Sequence, residues 1–453
     1  MEIERLVRAQ REFFRSGATL PVPERIQRLR QLQAAIRQSE SAISQALYDD
    51  LGKGGQEAYM TEIGMVLSEL EYILRRLPRW ARASRVSSPV SAFPARSYIL
   101  PEPYGSVLIM SPWNYPFLLT LEPAIGALAA GNTVVLKPSA YSPATSAVIR
   151  DLFAQVFPPE LAAVVPGGRE ENAALLRQQF DYIFFTGSTA VGKVVMEAAA
   201  AHLTPISLEL GGKSPCILDQ TADIPLAARR IAFGKCLNAG QTCVAPDYVY
   251  LHTSQRESFI REYAKNIRAF FGDAPLASPE LPRIVNQKHY ARLMGLLSGA
   301  DIALGGEGDG SKISPTLIDH ATWDSPAMGE EIFGPILPLL TYEHLEDALA
   351  QIQQRPKPLA LYLFTQDKSI ERQVLRRLSF GGGCVNDTIF HLTSSRLPFG
   401  GVGASGMGQY HGKYSFDTFS HPKSIMKRGP MDLSVRYHPY SEKKARLIRR
   451  IMK

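Results

Sequence analysis

Leu29, Leu32, Ile36, Ile43 and Leu47 recur at helical spacing near the amino end, with Arg and Gln between them. An apolar stripe of this period marks the buried face of packed helices. Asp49-Asp50-Leu51-Gly52-Lys53-Gly54-Gly55 reads as a turn, and 61–77 as a second periodic helix closed by Pro78. Residues 1–80 are therefore expected to serve packing, with no chemistry in them. Pro89, Pro94, Pro101 and Pro103 then punctuate a stretch containing Ser97-Tyr98-Ile99-Leu100. Proline cannot donate to a ladder, so this stretch is expected to be an extended arm that leaves the globule and pairs at a sheet edge.

From Tyr104 the pattern changes to short apolar runs alternating with amphipathic ones. Segments 106–110, 133–137, 161–166 and 182–185 read as strands. Segments 120–130, stopped by Gly131-Asn132, 143–156 and 190–201 read as helices. This alternation predicts an α/β protein whose parallel sheet is covered on both faces. Such sheets bind ligands at the carboxyl ends of their strands. Ser111-Pro112-Trp113-Asn114, Lys137-Pro138-Ser139 and Thr186-Gly187-Ser188 fall there. Further along, a helix over 223–237 and a strand over 247–251 flank Asn238-Ala239-Gly240-Gln241-Thr242-Cys243-Val244-Ala245-Pro246. A cysteine at such a junction is either a buried, inert thiol or a nucleophile.

Composition narrows the picture. The chain has 453 residues, 45% hydrophobic and 21% charged, enough for two or three domains around an ample core. No apolar run is long enough to cross a bilayer, and residues 1–10 lack a secretory pattern. The cysteines, at 216, 236, 243 and 384, form neither a CxxC pair nor a disulfide framework, which fits a reducing cytoplasm. The net charge of +7 is concentrated toward the carboxyl end and forms no aromatic-interleaved stripe, so nucleic acid is not expected as a partner.

Two glycine patterns carry different weight. Gly187 to Lys193 satisfies GxxxxGK, but Val194 stands where a nucleotide triphosphatase needs Ser or Thr for magnesium. A strand-to-helix turn of this kind still suits a dinucleotide pyrophosphate. Gly401-Val402-Gly403-Ala404-Ser405-Gly406 is a literal GxGxxG without a βαβ unit around it, and is expected to be a mobile loop.

Six motifs in order complete the sequence reading: Pro112-Trp113-Asn114-Tyr115-Pro116, Phe185-Thr186-Gly187-Ser188, Leu208-Glu209-Leu210-Gly211-Gly212-Lys213, Gly240-Gln241-Thr242-Cys243, Glu331-Ile332-Phe333-Gly334-Pro335 and Pro398-Phe399-Gly400-Gly401. Together they resemble the aldehyde dehydrogenase superfamily over residues 1–430. Asn238 to Tyr248 and Gly406 to Lys413 resemble its class 3 or fatty aldehyde branch. The resemblance implies a Rossmann-like parallel-sheet cofactor domain (1–80 and 102–208), an α/β catalytic domain (209–400) and a small β bridging arm (84–101 and 412–430), followed by a basic tail (431–453).

It also implies roles. Cys243 is the nucleophile, Asn114 and the Cys243 N–H are the oxyanion donors, and Glu209 is the base that activates water for release of the acid. Lys137 binds the adenine-side ribose, and Gly187, Ser188 and Gly192 line the pyrophosphate. Glu331 holds the nicotinamide ribose with Phe333 beside it, and Trp113 and Leu210 complete the cofactor site. Relatives often carry Glu three residues after the ribose lysine. This chain has Ala140, so NADP is expected to be used as well as NAD. Expected partners are a medium- or long-chain aliphatic or an aromatic aldehyde and a second copy of the chain, bridged by the arm and a strand near 416–419. The alternatives are a CoA-acylating dehydrogenase and a non-catalytic relative. Lys443, Lys444, Arg446, Arg449, Arg450 and Lys453 alternate with Leu447, Ile448, Ile451 and Met452. That tail reads either as a solvated terminal helix or as a weak contact with an anionic membrane surface.

Overall fold

The computed structural model describes residues 3–432 and 434–452; Met1, Glu2, Leu433 and the tail residue Lys453 lie outside the described residues. Two parallel sheets carry the molecule. In the first, six strands run in the order Gly406–Met407, Ile206–Glu209, Tyr182–Thr186, Ser106–Met110, Thr133–Lys137 and Ala162–Val164, all parallel except the first. Their residues are buried almost throughout, as expected when helices cover both faces. The amino-terminal helices pack on one face through Leu32, Ile36, Leu47 and Leu70, and helix Ile3–Arg15 packs on the other through Leu6 and Val7. The second sheet has seven strands. Its centre is formed by Tyr248–His252, Pro215–Leu218 and Ala360–Phe364, and only Asp301–Leu304, at one edge, is antiparallel.

Three expectations change. The second amino-terminal helix starts as a π turn, Tyr59–Ile63, and continues as Gly64–Trp80 through Pro78. Packing overrides the proline here: the Trp80 ring lies 5.9 Å from both Tyr72 and Phe416. The proline-rich arm belongs to a small sheet separate from the two large ones. Its strand Ala95–Pro103 pairs antiparallel with Ser420–Arg428 of the same chain, and with Ser84–Val86 on its other side. Residues 416–418 belong to a short helix, Lys413–Thr418, and the strand begins after it. The glycine-rich loop 401–406 is also not a free loop. Gly406 pairs with Glu209, and a Cβ at Gly406 would lie 2.1 Å from the Leu208 carbonyl oxygen. The glycines there permit close backbone approach.

No helix among the described residues is long and apolar enough to cross a membrane. The tail forms helix Glu442–Ile451, with its basic face exposed and Ile448 and Ile451 half-buried.

Candidate active site

Helix Ile224–Cys236 is capped by Asp223, whose side chain accepts from the Leu226 N–H. After Leu237 the chain enters left-handed backbone at Asn238 (φ 52°), Ala239 (51°) and Gly240 (72°). Non-glycine residues occupy this region only when their surroundings hold them. Here the Asn238 N–H donates to Glu57 Oε1 at 2.7 Å, and its Nδ2 donates to the Asn114 carbonyl at 2.7 Å. Gln241 donates to the carbonyls of Asn238 and Arg283, both at 3.0 Å, and accepts from the Val285 N–H. A Cβ at Gly240 would stand 2.2 Å from the Gly334 carbonyl oxygen, so only glycine lets this loop meet the 331–335 loop. Cys243 follows, half-buried.

Asn114 is buried, and its Nδ2 donates to the Gln241 carbonyl at 2.9 Å. A carboxamide has two N–H donors, so one remains for an oxyanion. Glu209 ends its strand fully buried, and neither carboxylate oxygen has a hydrogen-bond partner among the described residues. Burial alone pushes its carboxyl well above the usual range. It does not cap Gly211-Gly212; Glu331 accepts from the Gly212 N–H instead. Glu331 is raised to about 8, by burial and then by Asp247, and its Oε1 is sheltered and unpaired. Burial first, then the charges of Glu331 and Glu209, raise the Cys243 thiol, while the N–H groups of Cys243 and Val244 oppose the shift. These surroundings favour the neutral form of the thiol.

Beside Cys243 lies a cavity of about 130 Å³, lined by Leu118, Leu119, Phe233, Leu237, Phe399 and Tyr410 among others. Its walls are mostly apolar; Thr61, Thr242 and Thr393 also line it, and His411 Nε2 stands 3.3 Å from Glu122 Oε2 there. Met60 and Phe390, both well exposed, also line it and mark its opening to solvent.

At the carboxyl edge of the six-stranded sheet, Ser188 caps helix Thr189–Ala200, its Oγ accepting from the Val191 N–H. Gly187 and Gly192 let the turn pack closely: added Cβ atoms would lie 2.6 Å from the Phe185 ring and 2.8 Å from the Leu210 side chain. An exposed helix start with unpaired first-turn N–H groups fits a pyrophosphate. Lys137 is buried and donates to the carbonyls of Pro138 (2.8 Å) and Gly167 (2.7 Å), which leaves one of its three donors free. Burial lowers it to about 8, opposed by Glu171, whose carboxylate accepts from the Gly168 N–H. Trp113 and Phe333 meet edge to face at 5.4 Å, Phe333 in left-handed backbone (φ 52°). These residues fit a dinucleotide.

The aldehyde dehydrogenase family model matches residues 1–425. The chain belongs to the aldehyde dehydrogenase family. It is 50% identical over 446 residues to 4,4'-diaponeurosporen-aldehyde dehydrogenase of Staphylococcus aureus, covering 97% of each chain. It is 45% identical to aldehyde dehydrogenase family 3 member A2 of Rattus norvegicus, covering 98% of this chain and 92% of that one. A solved substrate-bound state of Staphylococcus aureus AldH superposes with a TM-score of 0.98 at 49% identity, covering 100% of this chain and 99% of that one. These relatives agree with the class 3-like branch, and family membership makes the protein an oxidoreductase.

The amino-terminal helices hold more than packing. Fully buried Lys53 is ion-paired with fully buried Glu62, and Glu57 reaches the Asn238 N–H. Lys213 pairs with Asp247, whose other oxygen accepts from the Ile332 N–H. Lys235 is fully buried, makes no hydrogen bond among the described residues and is lowered to about 8 by burial. One signal was available: Glu62 falls on the stripe Val66, Leu70, Ile73 and Leu77, where a charge is out of place.

Proposed function

We propose that this aldehyde dehydrogenase oxidises an apolar aldehyde to its carboxylic acid through a covalent intermediate on Cys243. The Cys243 thiol loses its proton to solvent water and the thiolate adds to the carbonyl carbon, giving a tetrahedral thiohemiacetal whose oxyanion is held by the Asn114 side chain and the Cys243 N–H. NAD, held by Glu331 and Phe333, would supply the hydride acceptor, and collapse of the oxyanion would leave a thioester on Cys243. Glu209 then takes a proton from water, the water oxygen attacks the thioester, and the acid departs as the thiol is restored. The observation that carries this reading is Glu209: buried, with both oxygens unpaired, and acting electrostatically on the Cys243 thiol. A carboxylate so placed also favours hydrolysis over a CoA-acylating reaction, and its presence opposes a non-catalytic role.

Cofactor binding is assigned to Trp113, Lys137, Gly187, Ser188, Gly192, Leu210, Glu331 and Phe333, in a cofactor domain built on the six-stranded sheet. Ala140 offers no carboxylate to repel a 2′-phosphate, so NADP is accepted beside NAD. Val90, Phe93, Met426 and Met431 are exposed along the small three-stranded sheet. This apolar edge supports a homodimer, which light scattering tests; a monomer at micromolar concentration contradicts it.

The apolar cavity favours long or aromatic aldehydes, and the Staphylococcus relative's name makes 4,4'-diaponeurosporen-aldehyde a first substrate to try. Initial rates with NAD and with NADP, across aliphatic aldehydes of rising length and benzaldehyde, test this reading. We expect kcat/KM to rise with chain length, by up to about fourfold per buried methylene. A flat or falling series contradicts the apolar assignment.

A further inference from the structure

Helix Glu40–Leu51 ends at Gly52 in left-handed backbone (φ 66°), which turns the chain inward and delivers Lys53 to the interior. Besides its ion pair with Glu62, the Lys53 ammonium lies 3.4 Å from the Asn114 carbonyl oxygen and 4.2 Å from the centroid of the Tyr115 ring. The Asn114 carbonyl therefore receives Lys53 from one side and Asn238 Nδ2 from another. Glu62 is equally occupied. Its second oxygen accepts from the N–H groups of Phe117 (2.8 Å) and Leu118 (3.2 Å), at the start of helix Leu118–Ala130. That helix starts four residues beyond Asn114. Glu57, on the next turn of chain, grips the Asn238 N–H. Arg283 adds a brace: its N–H donates to the Leu51 carbonyl, its side chain donates to the carbonyls of Tyr48 and Asp49, and its own carbonyl accepts from Gln241.

Buried ion pairs are costly to desolvate and are weak devices for stability alone. This one is bonded to the segment that carries Asn114, and the neighbouring Glu57 is bonded to the loop that carries Cys243. We propose that Lys53, Glu62 and Glu57 are positioning residues that fix the oxyanion donor Asn114 against the left-handed loop carrying Cys243, and so set the rate of carbonyl addition. None of them touches the aldehyde cavity; they act through Asn114 and Asn238. The inference rests on the reading of Asn114 as an oxyanion donor.

The test is a double-mutant cycle on the first-turnover rate of nicotinamide reduction. Lys53→Met with Glu62→Gln removes both charges together and keeps an acceptor for the Phe117 N–H. We expect that pair to slow the first turnover at least about tenfold in the native background. In an Asn114→Ala background the same pair should slow it less than about threefold, because the interaction it supports is already gone. KM for the aldehyde should move less than the rate in both. A purely structural role gives the same loss in both backgrounds, and that result, or no loss at all, overturns the proposal. If Asn114→Ala alone leaves the rate intact, the oxyanion reading falls and the proposal falls with it. Should the paired variant fail to fold, Glu57→Ala at its partly exposed site runs the same cycle, with an unchanged rate again overturning the proposal.

Discussion

The loop from Asn238 to Cys243 and the carboxylates facing it are held in different ways. Asn238 is bonded through its N–H and its side-chain amide, and Gln241 makes three side-chain hydrogen bonds to neighbouring backbone. Among the described residues, Glu209 bonds nothing through its side chain, and Glu331 leaves one oxygen unpaired. Hydrogen bonds to a carboxylate stabilise its charge and make it a poorer base, whereas an unpaired buried carboxylate is raised toward neutrality. On the proposed roles, position is supplied to Cys243 by saturating its loop with bonds. Basicity would be supplied to Glu209 by withholding them.

The largest break in this comparison comes from the carboxylate side. Glu209→Gln keeps size and burial but cannot take a proton, so release of the acid should slow by about 10²- to 10⁴-fold while the first hydride transfer persists. Rapid-mixing measurement of the burst of reduced nicotinamide against the steady state separates the two; loss of the burst itself would assign Glu209 to the earlier step. On the loop side, Gly240→Ala places a methyl 2.2 Å from the Gly334 carbonyl in left-handed backbone. The loop must shift, and a misplacement on that scale lowers the burst rate by about 10²-fold. A normal burst would show that the loop tolerates movement.

Both regions were legible to different depths. The parallel sheet was readable because its buried strands are short apolar runs between helical ones, and five of the boundary residues, such as Ser106, Met110, Thr133, Lys137 and Tyr182, coincide with observed strand ends. The motifs carrying Asn114, Glu209 and Cys243 were readable because their chemistry is local in sequence. What supports them was not. Lys53, Glu57 and Glu62 lie far from Cys243 in the chain, and only folding shows that a turn lysine becomes a buried cation. The arm was legible as an extended segment but its pairing was not: proline at a strand edge does not say which strand will pair with it, and here the partner is Ser420–Arg428 of the same chain. The glycines at 401–406 were misread as freedom, when their missing side chains are filled by neighbouring backbone.

A smaller effect sharpens the contrast through pH. Burial favours the protonated form of Glu209, so the active, ionised base is gained only as pH rises above the ordinary carboxylate range. Hydrolysis of an acyl-enzyme preformed on Cys243 should accelerate by up to about tenfold per pH unit on the rising limb. Glu209→Gln should flatten that limb. A midpoint at the ordinary carboxylate value would mean that Glu209 is solvated during turnover.

The smallest effect concerns the distant edge of the sheet. Ala140→Glu introduces a carboxylate near Lys137 and should raise the NAD over NADP ratio of kcat/KM at least about severalfold, the loss expected when one charge-assisted bond is exchanged for repulsion. Titration of NADH and NADPH binding by fluorescence should show the same ordering without turnover. An unchanged ratio removes Ala140 from cofactor choice.

The central claim is that aldehyde oxidation passes through a thioester on Cys243 that Glu209 helps to hydrolyse. Intact-mass measurement of the Glu209→Gln protein, mixed with aldehyde and NAD and quenched in acid, reads it directly. The account predicts a gain equal to the aldehyde less two hydrogens, located on the peptide containing Cys243 and absent from Cys243→Ala, which should also reduce no NAD. A Glu209→Gln protein that carries no adduct, or a Cys243→Ala protein that turns over normally, contradicts it.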